Sequence, residues 1–310
     1  MPISRCELCN KYYDSDNSLN LHYKYNHNEI KYTSLDDLIN TDIDTSLINK
    51  LNPYIKNLVD LIGQNKIKNN IFELINCKLC SFNLPNKPHT IISGNIGDGK
   101  SSFAEIIAEI YKILYNMGKI IKITKYDLMQ KWFNNIKADE LPNSILIIDN
   151  FYISNNTLFP NLQNEIIDFL EYNMDISMII ILVDKKSNIE QLENSNNFLK
   201  KIYYNFNLES YSDSDFIKLL KKKFINSNLK FESDCFDKNL LNFNKKYFKY
   251  NCIDIDKLFS KCIIAHAKNL INDPSKERSL LTKKDIEYGL ELFINDNKNT
   301  DNSSFEYLYN

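Results

Sequence analysis

The clearest chemical signature of the chain is the segment Gly94-Asn95-Ile96-Gly97-Asp98-Gly99-Lys100-Ser101. It has the pattern G-x-x-x-x-G-K-S, in which glycines let the backbone curl so that successive N–H groups point into one concavity and bind phosphate oxygens. Three of the six glycines of the chain lie between positions 94 and 99. The residues that we predict to hold a phosphate-bearing ligand are Gly94, Asn95, Ile96, Gly97, Asp98, Gly99, Lys100, Ser101 and Ser102.

A second candidate for phosphate chemistry is an acid that ends an apolar run. The residues from Ile145 to Ile148 are all apolar, which predicts a fully buried parallel strand, and Asp149 follows them directly. In this arrangement the acid and the Ser101 hydroxyl hold Mg²⁺, while Lys100 reaches the β- and γ-phosphates. The cofactors predicted for this site are therefore ATP and Mg²⁺.

The segments around these residues predict the elements that would position them. Apolar runs indicate strands and helical spacing indicates helices, in alternation along the chain. The strands are predicted at 89–93, 119–124, 144–148, 177–183 and 208–210, and the helices at 102–111 and 162–172. Such alternation is typical of an α/β doubly wound parallel sheet, the fold of P-loop NTPases. From Ser212 onward the pattern is helical only, which predicts a C-terminal helical lid.

The first thirty residues contain a set of metal-binding residue types with the spacing Cys-x2-Cys-x12-His-x4-His. The predicted Zn²⁺ ligands are Cys6, Cys9, His22 and His27. A tight turn would present the thiolates and one helix face the imidazoles, around a core of Tyr13 and Leu19 that is too small to fold without metal. The segment resembles the two-cysteine, two-histidine zinc finger, a small ββα unit.

The base-contacting positions of such a finger fall here on Ser15, Ser18 and Leu21. None of these is an Arg, Asn or Gln, the residue types that contact bases through two hydrogen bonds. The formal net charge of the whole chain is -2, so it has no general basic field for nucleic acid. We therefore expect the finger to bind a protein, or RNA, rather than to specify a DNA site; for the chain as a whole, a nucleic-acid partner is possible but not favoured.

The composition sets broad limits on the chain. No apolar run reaches membrane-spanning length and the N-terminus lacks signal-peptide features, so we expect a soluble, intracellular protein. Seven cysteines in such a chain favour metal ligands and buried thiols over disulfides. The predicted segments are a zinc finger at 1–30, a linker at 31–52, an ATP-binding α/β core at 53–211, a helical lid at 212–294 and a frayed tail at 295–310.

From Asn57 to Phe293 the order of motifs resembles that of AAA+ ATPases, most of all the branch with red-type Rubisco activase and stage V sporulation protein K. Beside the motifs above, the marks of this resemblance include Leu61-Ile62-Gly63, Pro88-His89, Ala108-Glu109-Ile110-Tyr111 and Leu281-Thr282. The resemblance implies a ring-forming homo- or hetero-oligomer with nucleotide between neighbouring subunits. It also implies that Trp132 lines a central pore and grips a polypeptide, although packing in the core or lid would explain this aromatic residue equally well.

The chain departs from the resembled family at three positions that serve hydrolysis. Asn150 stands where a glutamate activates water, Lys201 stands where a neighbour's arginine stabilises the transition state, and Ile253 replaces an arginine of the lid. We therefore expect ATP and Mg²⁺ to bind, with weak or absent hydrolysis, in a nucleotide-dependent switch or remodelling subunit whose target the finger recruits.

Three alternatives remain open at the level of sequence. The protein could be an active ATP-driven remodeller in which Asp98 or Glu140 supplies the missing carboxylate. It could be a relative of DNA-replication initiators or helicase loaders, for which the short gap between Asp127 and Asp149 is suggestive. In the third, the finger is the functional module and the ATPase core is a structural remnant.

Overall fold

The architecture was obtained as a computed structural model of the 310-residue chain. The residues that it describes are 4–5, 12–13, 34–35, 46–79, 87–124, 127, 141–149, 168–169, 171–174, 176–184, 201–232, 235–236, 245–273, 275 and 277–302.

A five-stranded parallel sheet forms the centre of the described chain. Its strands are β3 (His89–Ser93), β4 (Ile120–Ile123), β5 (Ile145–Ile148), β6 (Met178–Val183) and β7 (Ile202–Asn207), and their order across the sheet is β4-β5-β6-β3-β7. Every residue of β3, β5 and β6 is buried, as the uninterrupted apolar runs predict for strands covered on both faces. Because β6 lies between β3 and β5, the ends of these three strands are adjacent.

The last strand of the sheet differs from the prediction at 208–210. The strand is β7, and residues 208–210 follow it. Its exposed residues alternate with partly or fully buried ones, and Tyr203 is 62% exposed, because β7 is at the edge of the sheet and, among the described strands, pairs with β3 alone. Asn205 and Asn207 interrupt the apolar pattern, so no continuous run marks this strand.

Three helices, α1 (Ser46–Val59), α2 (Asn65–Leu79) and α3 (Lys100–Leu114), pack on one face of the sheet. The buried residues of α1 recur at three- and four-residue spacing, at Ile48, Leu51, Ile55 and Leu58, and so form one apolar stripe. The helix α1 begins inside the segment predicted as a linker. Leu35, also from that segment, is buried against the same core, so this part of the predicted linker belongs to the packed unit.

The segment predicted as a helical lid, which we call the lid below, follows the sheet and has a core of its own. It contains α4 (Asp213–Asn226), α5 (Cys252–Asn272) and α6 (Lys283–Asn302), with the short parallel strands β8 (Lys230–Phe231) and β9 (Leu280–Leu281). Phenylalanine side chains dominate this core, including Phe216, Phe224, Phe248 and Phe293. The helix α6 runs past the predicted lid boundary at 294 into the predicted tail. None of the helices in the described ranges is long and apolar enough to cross a membrane.

At the N-terminus, the described residues form two short antiparallel strands, β1 (Ser4–Arg5) and β2 (Tyr12–Tyr13). Ser4 pairs with Tyr13, and Arg5 pairs with Tyr12. The predicted zinc ligands Cys6, Cys9, His22 and His27 lie outside the described residues. Within the described part of the chain, no group of three or more His, Cys, Asp or Glu side chains could hold a metal ion. The zinc finger therefore stays a prediction.

Asp285, buried near the start of α6, ties that helix to α5. Its Oδ2 accepts hydrogen bonds from the Thr282 backbone N–H at 2.8 Å and from the Thr282 hydroxyl at 3.0 Å, and it lies 3.0 Å from His266 Nδ1. Asn269 of α5 donates to the other oxygen. Burial raises the pKa of the Asp285 carboxyl, but these hydrogen bonds outweigh it, so the pKa is lowered from its ordinary value of 3.8.

We predict that Asp285→Ala lowers the free energy of unfolding of the lid by about 3 kcal/mol at pH 7, because buried donors lose their acceptor. The folded-state pKa is lowered, so this stabilisation is present above pH 3.8 and is lost as the pH falls through the lowered pKa. Urea unfolding of both proteins at several pH values measures the difference, which should shrink towards acid. Glu287→Ala, at an exposed position of α6, is the control. An equal loss in both variants would contradict the prediction.

Candidate nucleotide site

The phosphate loop, residues 94–101, connects the end of β3 to the start of α3. Gly97 has φ +83° and Gly99 has φ +89°, left-handed conformations that side chains disfavour. A Cβ at Gly97 would lie 2.0 Å from the backbone oxygen of Tyr250. The strand, loop and helix thus follow one another as the sequence predicts, and glycine at position 97 is required both by the turn and by the neighbouring lid.

Lys100 is the first residue of α3, and its side chain is only 7% exposed. Its Nζ donates to the backbone oxygens of Gly94 at 3.1 Å and Asn95 at 2.8 Å. It also forms an ion pair with Asp184, with 2.8 Å between Nζ and Oδ1. The ammonium group is therefore held inside the curve of the loop, where a phosphate group would meet it.

The sequence reasoning missed Asp184. It directly follows the buried strand β6, just as Asp149 follows β5. The signal that identified Asp149, an acid at the end of an apolar run, was therefore present at Asp184 as well. The order of the strands, which the sequence does not give directly, is what makes this second acid a neighbour of the loop.

Ser101 and Asp149 meet as the sequence predicts. The Ser101 hydroxyl donates to Asp149 Oδ2 at 3.1 Å. The backbone N–H of Asp149 donates to the Ile123 oxygen at 2.9 Å, which fixes the acid at the edge of the sheet. A hydroxyl and a carboxylate oxygen are ligands that Mg²⁺ prefers, so this pair fits the predicted metal ion.

Asp98 has a structural environment rather than a catalytic one. Its side chain is 1% exposed, and both carboxylate oxygens accept short hydrogen bonds, from the Asn95 N–H and from Asn251 Nδ2, each at 2.6 Å. Burial raises the pKa of this carboxyl, and the hydrogen bonds and the Lys100 charge offset the rise in part. A carboxylate so enclosed is badly placed to accept a proton from water, which argues against Asp98 as the replacement base.

The lid touches the phosphate loop directly. The Cys252 N–H, at the start of α5, donates to the Gly97 oxygen at 3.1 Å, and the Tyr211 hydroxyl donates to the Asp98 oxygen at 3.1 Å. Together with Asn251, these residues bind the backbone and the carboxylate of the loop. Ile253, at the position that the resemblance assigns to a lid arginine, is an apolar side chain that is 43% exposed.

The remaining predicted site residues lie at different places. Asn95 donates to the Ser210 hydroxyl at 3.1 Å, while Ile96 and Ser102 are exposed. Lys201 is exposed and directly precedes β7. Three residues named above, Asn150, Trp132 and Glu140, lie outside the described residues.

Comparison with known proteins gives the class of fold. No known protein-family model matches the chain. The RuvB Holliday junction branch migration motor of Thermotoga maritima is similar in structure, with a TM-score of 0.51, 14% identity, and coverage of 74% of this chain and 70% of that one. The AAA domain of FIGL-1 in complex with ADP has a TM-score of 0.50 and 12% identity, over 76% of this chain and 83% of that one. The chain therefore has the AAA+ ATPase fold.

One relative that the sequence matches is a viral protein. The putative cfxQ-like protein R730 of Acanthamoeba polyphaga mimivirus is 28% identical over 270 residues. The match covers 80% of this chain but only 66% of the length of that relative.

Proposed function

We propose that this protein binds ATP with Mg²⁺ and acts as an AAA+ nucleotide-dependent switch or remodelling subunit. The observation that carries the proposal is the arrangement at the carboxyl edge of the sheet, where Lys100 lies within the loop and Ser101 meets Asp149 at 3.1 Å. The loop N–H groups and Lys100 would bind the phosphates, and Ser101 with Asp149 would hold Mg²⁺. The metal ion would neutralise charge between the β- and γ-phosphates.

We further propose that hydrolysis is weak or absent. The residue after Asp149 is Asn150, whose amide cannot take a proton from water as a carboxylate does. The enclosure of Asp98 supports this proposal, because it leaves that acid unsuited to the task. Lys201 in the place of an arginine adds a second loss, since a point charge lacks the planar fork that matches spread phosphate charge.

The assembly and the target belong to the same proposal. By resemblance to the AAA+ class, the chain would form homo- or hetero-oligomeric rings, and a partner subunit could supply missing groups. Trp132 or the zinc finger, with Zn²⁺ at Cys6, Cys9, His22 and His27, would engage a protein target. The similar RuvB structure is named as a DNA motor, but the likeness is one of fold, and the near-neutral charge of the chain does not favour nucleic acid.

Calorimetric ATP affinity and phosphate release, measured with Mg²⁺ on one preparation, test the proposal. We expect wild type to bind ATP with turnover well below about 1 s⁻¹, the low end for typical enzymes. Lys100→Ala should weaken binding by about 10- to 100-fold, because charged hydrogen bonds to phosphate are lost. Lys112→Ala, on the same helix and away from the loop, should leave binding unchanged.

The Asn150→Glu variant separates the switch from an active remodeller. It restores a carboxylate beside Asp149, so turnover should rise by about 100-fold, the low end for general-base catalysis. Brisk turnover by wild type would contradict the switch and favour the active remodeller. A wild-type chain that binds no ATP would contradict the whole proposal and favour a structural remnant.

A further inference from the structure

The ion pair between Asp184 and Lys100 adds a feature that the phosphate-loop pattern does not contain. The pair is partly shielded from water, with Lys100 7% and Asp184 28% exposed. Lys100 Nζ lies within 3.1 Å of three oxygens, those of Gly94, Asn95 and Asp184. An ammonium group has three N–H donors, so these oxygens use its full capacity. A phosphate that binds Lys100 must therefore displace at least one of them.

Of the three acceptors on Lys100, only the Asp184 carboxylate carries charge. The two backbone oxygens belong to the loop itself. A phosphate oxygen and the Asp184 carboxylate, in contrast, are both anions that compete for one cation. Displacing the carboxylate leaves it close to the phosphate, where two like charges repel each other strongly when partly shielded from water.

The sheet order places Asp184 between the phosphate loop and Asp149. Asp184 follows β6, which lies between β3, leading to the loop, and β5, leading to Asp149. Ser101 and Asp149 would hold Mg²⁺, which would neutralise charge on the phosphates. Asp184 Oδ1 lies 2.8 Å from Lys100 Nζ, the group that would reach the β- and γ-phosphates. ATP would bring one more charged phosphate towards this carboxylate than ADP.

We propose that Asp184 determines nucleotide specificity: its carboxylate pairs with Lys100 and opposes the added charge of a γ-phosphate, so that the site favours a nucleoside diphosphate over a triphosphate. This inference rests on the proposed nucleotide binding and deepens it. A switch of this kind would stay in the diphosphate-bound state until ATP is abundant.

The test is the ratio of ATP affinity to ADP affinity in the full-length wild type and in Asp184→Asn, measured by calorimetry with and without Mg²⁺. Asparagine has nearly the same shape and no charge. We expect ATP affinity to rise by about tenfold and ADP affinity by clearly less, because ATP loses the repulsion of one more phosphate. Asp184→Ser removes the charge and also shortens the side chain, and it should change the ratio in the same direction, because the effect depends on the charge.

The control is Asp296→Asn, which removes another aspartate–lysine pair, with Lys261, between α6 and α5 of the lid. It should leave the ratio unchanged. Equal changes in ATP and ADP affinity in Asp184→Asn would overturn the inference while the proposed function stands. Weaker binding of ATP only when Mg²⁺ is present would also overturn it, because Asp184 would then be a metal ligand. A wild type that binds neither nucleotide would overturn the inference and the proposed function together.

Discussion

Gly97→Ala should lower the stability of the contact between loop and lid by several kcal/mol and weaken ATP binding by at least about tenfold. The new Cβ would lie 2.0 Å from the Tyr250 oxygen and 2.8 Å from its carbonyl carbon, and backbone atoms cannot turn aside as a side chain can. The left-handed φ of +83° adds about 1 to 2 kcal/mol of strain for any residue with a Cβ. Loop and lid would have to separate, with loss of the hydrogen bond from Cys252 to Gly97.

Thermal unfolding and calorimetric ATP titration of Gly97→Ala measure these effects. Gly99→Ala is the matched variant, because Gly99 is also left-handed but its Cβ would meet only the Tyr211 hydroxyl, at 3.3 Å. We expect Gly97→Ala to unfold at a clearly lower temperature than Gly99→Ala. Adding Tyr250→Ala should not rescue it, because the clash is with the backbone. Equal decreases in unfolding temperature in the two glycine variants would contradict the close contact between the lid and the loop.

Gly289→Ala should destabilise the lid by about 3 kcal/mol, the upper range for overpacking a core. Gly289 lies where α6 crosses α5, and a Cβ there would be 2.6 Å from both Cα and Sγ of Cys262. The two helices would have to move apart. This prediction opposes intrinsic propensity, because alanine favours an exposed helix by about 1 kcal/mol over glycine.

Urea unfolding of Gly289→Ala provides the measurement. Cys262→Ala should not restore stability in the double variant, because the Cys262 Cα is as close as the sulfur. The substitution Glu287→Ala, on the exposed side of α6, serves again as the control and should have little effect. If Gly289→Ala were as stable as wild type, the close approach of α5 and α6 would be wrong.

The α/β core was predictable because its central strands are buried on both faces. The run from Ile145 to Ile148 and the glycine loop each carry their signal within a few adjacent residues. The edge strand β7 was predicted at the wrong position, since half of its residues are polar or exposed. The local sequence therefore predicted the strands that are buried on both faces. It failed for β7, which has one face against the protein and the other exposed to water.

In the candidate site, too, some residues could be predicted from the sequence and some contacts could not. Lys100, Ser101 and Asp149 could be predicted because each belongs to a short motif of adjacent residues. The contacts of Asp98 with Asn251, and of Gly97 with Cys252, join residues more than 150 positions apart in the chain. No local pattern predicts such pairs, because they depend on how the lid packs against the phosphate loop.

The contact between the first residue of α5 and the phosphate loop would let motions of the loop displace the lid. This helix has 21 residues and is therefore about 30 Å long, and its first residue hydrogen-bonds Gly97. A tilt of about 5° at the loop would displace the far end by roughly 3 Å. Near that end, His266 and Asn269 form hydrogen bonds with Asp285, so α6 would move together with α5. A small tilt of α5 at the loop would therefore cause a larger displacement at the outer surface of the lid.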